Sequence, residues 1–175
     1  LPLNSLCKKY KVKFYVYIST FRVKLLYKNF TKKNIKNNLN NLYMFSKIKA
    51  EKLLNNIISK KPNHKIIILR ITSPYGYIMN TKAIIPNIIK KIKNKNKINI
   101  NGNGSRKQFL TFVEDIAKFC LQKFGENSSS RTYNFFNPEA PNIKTIIKNI
   151  NKIFFNKEKF LINYKKNGDN SNILV

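Results

Sequence analysis

The chain has 175 residues, 42% of them apolar, which is enough for one hydrophobic core and does not require a second domain. Cys7 and Cys120 stand far apart without a CxxC and the chain has 1 histidine, so a zinc site and a dense disulfide framework are excluded. The formal net charge of +28 comes almost wholly from lysines scattered among asparagines and isoleucines, with arginine only at 22, 70, 106 and 131; that texture excludes a specific nucleic-acid reader and leaves only nonspecific attraction to polyanions.

No apolar run reaches membrane-spanning length and no signal-peptide pattern opens the chain, so the expected setting is the reducing cytoplasm, away from any membrane. Residues 3–10 suit a helix. FYVYI (14–18) is a short run of apolar and aromatic residues that ends at Ser19 and Thr20, and its lack of alternation predicts a strand buried on both faces. After a polar stretch, residues 42–60 repeat apolar side chains near the 3.6-residue period at Leu42, Phe45, Leu53, Leu54, Ile57 and Ile58, a helix that Pro62 and Asn63 should stop. KIIILR is the next buried strand, followed by turn-rich TSPYG. Strand, helix and strand make a βαβ crossover and predict a parallel sheet in an α/β protein.

Beyond it, residues 83–93 read as a helix with Pro86 in its first turn. INI is a short strand before GNGS, and VEDIAKFCLQKF is a helix with Glu114 and Asp115 at its positive end. TYNFF is a strand, PEAPNIKTIIKNINKIF a loop and helix, and the tail after Asn163 has no firm pattern. No repeat organises the chain.

Several groups are placed for chemistry, and each has a plainer structural reading. Thr20 ends a strand at the edge where parallel sheets bind ligands, yet hydroxyls there also form turns and caps. Tyr43 and Lys47 lie one helical turn apart; an ammonium near a phenol favours the phenolate, a base suited to a sugar hydroxyl. The same pair is also compatible with a solvent-facing arrangement in which Lys47 pairs with Glu51. Gly102-Asn103-Gly104, with Arg106 and Lys107 after it, is either a phosphate cradle or a tight turn, and it lacks the third glycine of a dinucleotide fingerprint. Asp115 suits a helix start, His64 a surface turn, and the phenylalanines a core.

The ordered blocks ISTFRV, YMFSKIKAEKLL, LRITSPYG, GNGSRKQFLTFVEDIAKF and YNFFNPEAPNIKTIIKNI, from about Val12 to Phe154, resemble the NAD-dependent epimerase/dehydratase family, the extended short-chain dehydrogenases of sugar nucleotides. The resemblance implies the C-terminal part of a doubly wound, Rossmann-type parallel sheet, with sheet segments at about 12–76 and 108–136, and a small substrate lobe at about 77–107 and 137–165. It implies a triad of Thr20, Tyr43 as base, and Lys47, with Tyr43, Lys47 and Thr72 at the NAD cofactor and Ser73, Arg106 and Lys107 at a nucleotide-diphosphate sugar. No metal is implied, and a homodimer is implied for a full-length member.

The departures shape the expected chemistry. Phe21-Arg22 stand where dehydratases carry Asp-Glu, which favours epimerase-like hydride transfer over loss of water. The GNGSRKQF block is one residue shorter than usual and puts Lys107, beside Arg106, at the diphosphate-binding position. Roughly the first hundred residues of a typical member, including its glycine-rich turn, have no counterpart. The sequence therefore predicts a truncated chain, inactive and unable to hold NAD alone; the competing expectation is a noncatalytic remnant or a basic polyanion-binding protein.

Overall fold

The computed structural model describes residues 12–26, 39–60, 65–94, 97–126, 129–155 and 161–165. The expected helix at 3–10, Cys7, the stop at Pro62 and Asn63, and His64 lie outside the described residues. In chain order the elements are β1 (Phe14–Thr20), α1 (Arg22–Leu26), α2 (Leu39–Lys60), β2 (Lys65–Ile71), β3 (Ser73–Tyr75), α3 (Ile84–Lys93), β4 (Ile98–Asn101), β5 (Leu110–Phe112), α4 (Val113–Gly125), β6 (Arg131–Phe135), α5 (Ile143–Phe155) and β7 (Ile162–Lys165). They form two compact units, Leu1–Thr72 with Glu114–Phe136, and Ser73–Val113 with Asn137–Val175. No described helix is long and apolar enough to cross a membrane.

The first unit is built on a parallel sheet in the order β1-β2-β6. Its centre is β2, where Ile66, Ile67, Ile68 and Leu69 are all 2% exposed or less. Successive side chains point to opposite faces. Ile66 and Ile68 pack with Leu54 of α2 and with Tyr15 and Tyr17, while Ile67, Leu69 and Ile71 pack with Phe14, Val16 and with Ile116 and Phe119 of α4. Burial on both faces is why KIIILR shows no alternation. Each such side chain contributes about 1.5–3 kcal/mol on burial, so this strand anchors the unit.

The α2 helix forms where predicted, but it buries a different stripe. Met44, Ile48, Glu51 and Leu54 face inward, whereas Leu42 and Leu53, two of the expected core positions, are 51% and 63% exposed. The cause is Glu51, a carboxylate with no exposed surface in the middle of the stripe. Arg70 of β2 grips it with Nε at 3.1 Å from both oxygens and Nη2 at 2.6 Å, and Ser19 of β1 donates its hydroxyl to Oε1 at 2.5 Å. A buried carboxylate held this way fixes the helix rotation, because any other rotation strands a charge.

In the second unit β3 pairs with β5 and β4 with β7, both parallel. Ile88 and Ile92 of α3, Ile98 and Ile100 of β4, and Ile143, Ile146, Ile147 and Ile150 of α5 make its core. Three elements differ from expectation, β3, β7 and the unexpected short strand β5. TSPYG contains β3 instead of a simple turn, since Ser73 donates its N–H to Phe109 O at 3.1 Å and the strand register continues from there. β7 runs into the tail that shows no pattern after Asn163; it is recruited by β4 and offers only the half-buried Ile162 to the core.

The fold class needs one correction. The α/β class and parallel Rossmann-type sheet are present, and the first unit has a layered core of its own: β2 is covered on one face by α2 and on the other by α4. The expectation of a mere C-terminal part thus gives way to a unit that carries its own core.

Two stability outcomes follow from this packing. Glu51→Ala, which leaves Arg70 facing an apolar stripe, should cost about 3–5 kcal/mol in urea unfolding. Ile78 is a β-branched residue at φ 59, 94% exposed, and Ile78→Asn should gain about 1 kcal/mol in the same assay by relieving left-handed backbone strain.

Candidate active site

The carboxyl ends of parallel strands are where α/β folds present chemistry. In the first unit that edge is formed by Thr20 of β1, paired in register with Ile71 of β2, with Thr72 following. The N–H of Phe21 donates to Ile71 O at 2.9 Å, so the chain stays tied to β2 just past Thr20. Phe21 is 1% exposed and stacks edge-on against Phe136 at 5.1 Å.

Lys47 reaches this edge from α2. Its Nζ donates to Ile18 O at 2.9 Å, two residues before Thr20. The same nitrogen lies 4.9 Å from the centre of the Tyr17 ring and 5.7 Å from that of Tyr43. Tyr43, one turn earlier on α2, is 52% exposed. The alternative pairing of Lys47 with Glu51 is not made, because Arg70 and Ser19 take the Glu51 oxygens and Lys47 takes a backbone carbonyl. The structure thus brings Tyr43 and Lys47 to the end of β1, with the phenol open to solvent. Strand alternation places Tyr15, Tyr17 and Ser19 toward α2.

Tyr17 is pushed above the ordinary phenol range, first by burial, then by the Glu51 carboxylate and then by Tyr43. Sequence spacing does not single out Tyr17, Ser19, Glu51 or Arg70, although a signal existed. With 7 acidic residues in the chain, a glutamate at the spacing of a buried helical stripe is unusual, and the four arginines are as sparse.

Ser73, Arg106 and Lys107 belong to the second unit. Ser73 is exposed on β3. The Arg106 backbone carbonyl accepts the N–H of Ile143 at 3.1 Å, the N–H of Gln108 donates to Pro141 O at 3.0 Å, and Lys107 bridges to Asn142, so this segment is stitched to the start of α5. A cavity of about 290 Å³ opens beside it. Arg106, Gln108, Lys91, Asn87, Asn99 and Asn101 supply polar groups to a lining otherwise made of isoleucines. Arg106 lines the cavity and Lys107 lies outside it, as strand-like alternation requires.

The glycines before that segment form a turn. Gly102 and Gly104 have φ 77 and 74, which glycine adopts without penalty. Gly102 donates its N–H to Lys165 O at 3.1 Å and Gly104 O accepts that of Lys144 at 3.3 Å, so these groups hold β7 and α5 instead of facing a ligand. Among the described residues no group of three or more His, Cys, Asp or Glu side chains could hold a metal ion.

Comparison with known proteins agrees with this architecture. The model of the "NAD dependent epimerase/dehydratase family" matches residues 1–137. The chain is 29% identical over 111 residues to dTDP-4-dehydro-6-deoxyglucose reductase of Escherichia coli, covering 62% of this chain and 35% of that protein. It superposes on UDP-N-acetylglucosamine 4-epimerase from Methanobrevibacter ruminantium M1 with a TM-score of 0.78 at 20% identity, over 97% of this chain and 56% of that one. On UDP-glucuronic acid 4-epimerase from Bacillus cereus in complex with NAD the TM-score is 0.72 at 22% identity, over 93% and 53%. The chain therefore spans about half the length of these solved structures.

These matches correct the bounds of the expected likeness, which opens at residue 1 and not near Val12. The family match begins at residue 1, and nearly the whole chain superposes on the epimerase fold. On a family match over 1–137, well beyond half of the chain, this protein belongs to the NAD dependent epimerase/dehydratase family.

Proposed function

We propose that the protein is an NAD-dependent, epimerase-like oxidoreductase acting on a nucleotide-diphosphate sugar, with Tyr43 as base, Lys47 as the group that holds the nicotinamide ribose, and Thr20 as hydrogen-bonding partner of the reacting oxygen. The observation that carries the reading is Lys47 anchored on Ile18 O at the carboxyl end of a parallel strand, with a half-exposed phenol one turn away. An ammonium and an open phenol at that edge fit the ribose end of NAD. When bound, NAD supplies the hydride acceptor for a sugar carbon.

The residues of the chain do the rest. The Tyr43 oxygen takes the proton of the sugar hydroxyl as hydride leaves the same carbon, and returns it when the centre is reduced again. Thr20 donates to the oxygen on which charge develops. Lys47 keeps a positive charge beside the phenol and orients the ribose. Thr72 belongs with the cofactor in this reading. Ser73, Arg106 and Lys107 belong with the sugar nucleotide, where Arg106, the arginine lining the cavity, suits a diphosphate bidentately. Phe21, buried against Phe136, occupies the position where dehydration would call for an acid, which supports epimerase-like chemistry. A homodimer and a cytoplasmic setting complete the reading.

Steady-state kinetics with a UDP-sugar and NAD test it. Tyr43→Phe should lower kcat by roughly 100-fold or more while leaving sugar-nucleotide affinity intact, and unchanged turnover would remove Tyr43 as base. Lys47→Met should weaken NAD binding as well as turnover. Arg106→Ala should raise the Kd for the nucleotide sugar roughly tenfold, seen by calorimetric titration, with a smaller effect on kcat.

A further inference from the structure

We infer that Tyr17 is a positioning residue for Lys47: its ring, carried on the rigid β1 strand, forms one wall of an aromatic seat that fixes where the ammonium can stand. Three contacts define the seat. Ile18 O accepts from Nζ at 2.9 Å, the Tyr17 ring centre lies 4.9 Å away, and that of Tyr43 lies 5.7 Å away. An ammonium is attracted to a ring face within about 6 Å, so Tyr43 is near the limit and Tyr17 well inside it.

The two rings also differ in what holds them. Tyr43 shares α2 with Lys47, so its contact is local to the helix. Tyr17 stands on β1, paired with Ile68 of β2 and packed in the cluster of Leu54, Ile66 and Ile68. Among the described residues only the Tyr17 contact, together with the Ile18 carbonyl, joins the Lys47 head to the sheet. A lysine side chain has a flexible four-carbon stem, and one hydrogen bond leaves it free to pivot about the acceptor. The ring removes that freedom. Burial, Glu51 and Tyr43 raise the Tyr17 phenol above its ordinary range, so it stays neutral and offers its ring instead of competing as a base.

The positioning stands on these contacts alone, whereas its consequence for cofactor binding rests on the function proposed above. The test therefore has two independent arms. In the first, competitive acetylation of the whole protein with peptide mass spectrometry reads the reactivity of each lysine in wild type, Tyr17→Leu, Tyr17→Ile and Tyr17→Phe. The aliphatic variants should label Lys47 roughly threefold faster or more, with Lys49 and Lys52 unchanged, and Tyr17→Phe should restore protection because the ring face remains. Thermal melts identify whichever aliphatic variant keeps the fold, and the comparison is made on that one. Equal Lys47 labelling in wild type and a folded aliphatic variant would overturn the inference, as would equal labelling in the phenylalanine and aliphatic variants.

In the second arm, calorimetric titration with NAD accompanies kinetics of Tyr43→Phe. A roughly fivefold weaker NAD affinity in the aliphatic variant, recovered in Tyr17→Phe, is expected. Unchanged affinity alongside an inactive Tyr43→Phe overturns the positioning of Lys47 for cofactor and leaves the base standing. Full turnover by Tyr43→Phe overturns the proposed function, and the labelling arm then decides Tyr17 by itself.

Discussion

The carboxylate of Glu51 has no contact with solvent, and its two oxygens are shared between Arg70 on β2 and Ser19 on β1. Three elements of the first unit therefore meet at one charge. Because a buried carboxylate without its partners is far more costly than a mispacked leucine, this contact selects one rotation and one axial position of α2 over the alternatives its weak apolar pattern would allow. Lys47 lies one turn and Tyr43 two turns before Glu51 on that helix. Their approach to the end of β1 is thus set by a group that takes no part in the proposed reaction, an arrangement in which the packed interior aims the exposed edge.

This also explains what was legible in the sequence. The β2 strand was plain because a fully buried parallel strand writes itself as consecutive isoleucines, and the βαβ order followed from it. The existence of α2 was legible; its inward face was not. A count of apolar positions selects Leu42 and Leu53, and it cannot credit a glutamate with burial unless its arginine is known, which lies 19 residues away on another element. The short strands β3 and β7 failed for a different reason. Their pairing is supplied by β5 and β4, and three or four residues carry too little pattern of their own to announce a strand.

The candidate site was legible in kind and less so in detail. Tyr-x-x-x-Lys in a lysine-rich chain is a weak motif, and chain order among the family-like blocks carried more than the spacing did. What separates Lys47 from the other lysines is visible only in three dimensions, where its nitrogen meets a main-chain carbonyl and two rings at a strand end. The GNG segment shows the converse. Its glycines suggest a phosphate cradle as readily as a turn, and the backbone hydrogen bonds to β7 and α5 decide for the turn.

The net charge of +28 acquires a local meaning in the same way. Lys65 places its nitrogen against the carbonyl oxygens of Lys123 and Glu126, at the negative end of α4, and over the Phe14 ring. Lys123 bonds Glu126 and lies over Phe119 and Tyr133, and Lys144 lies over Tyr164. In a chain with few carboxylates, carbonyl oxygens and aromatic faces become the available counter-groups for ammonium ions. The Lys47 seat is the same solution applied at the sheet edge. A composition that looks like a polyanion footprint is thus partly consumed inside the fold, and aromatic rings beside lysines recur because the sequence offers 22 Phe and Tyr residues against 7 acids, the 22 being 13 Phe plus 9 Tyr. On that view an aromatic partner for Lys47 is what this composition makes available where another chain would have used a carboxylate.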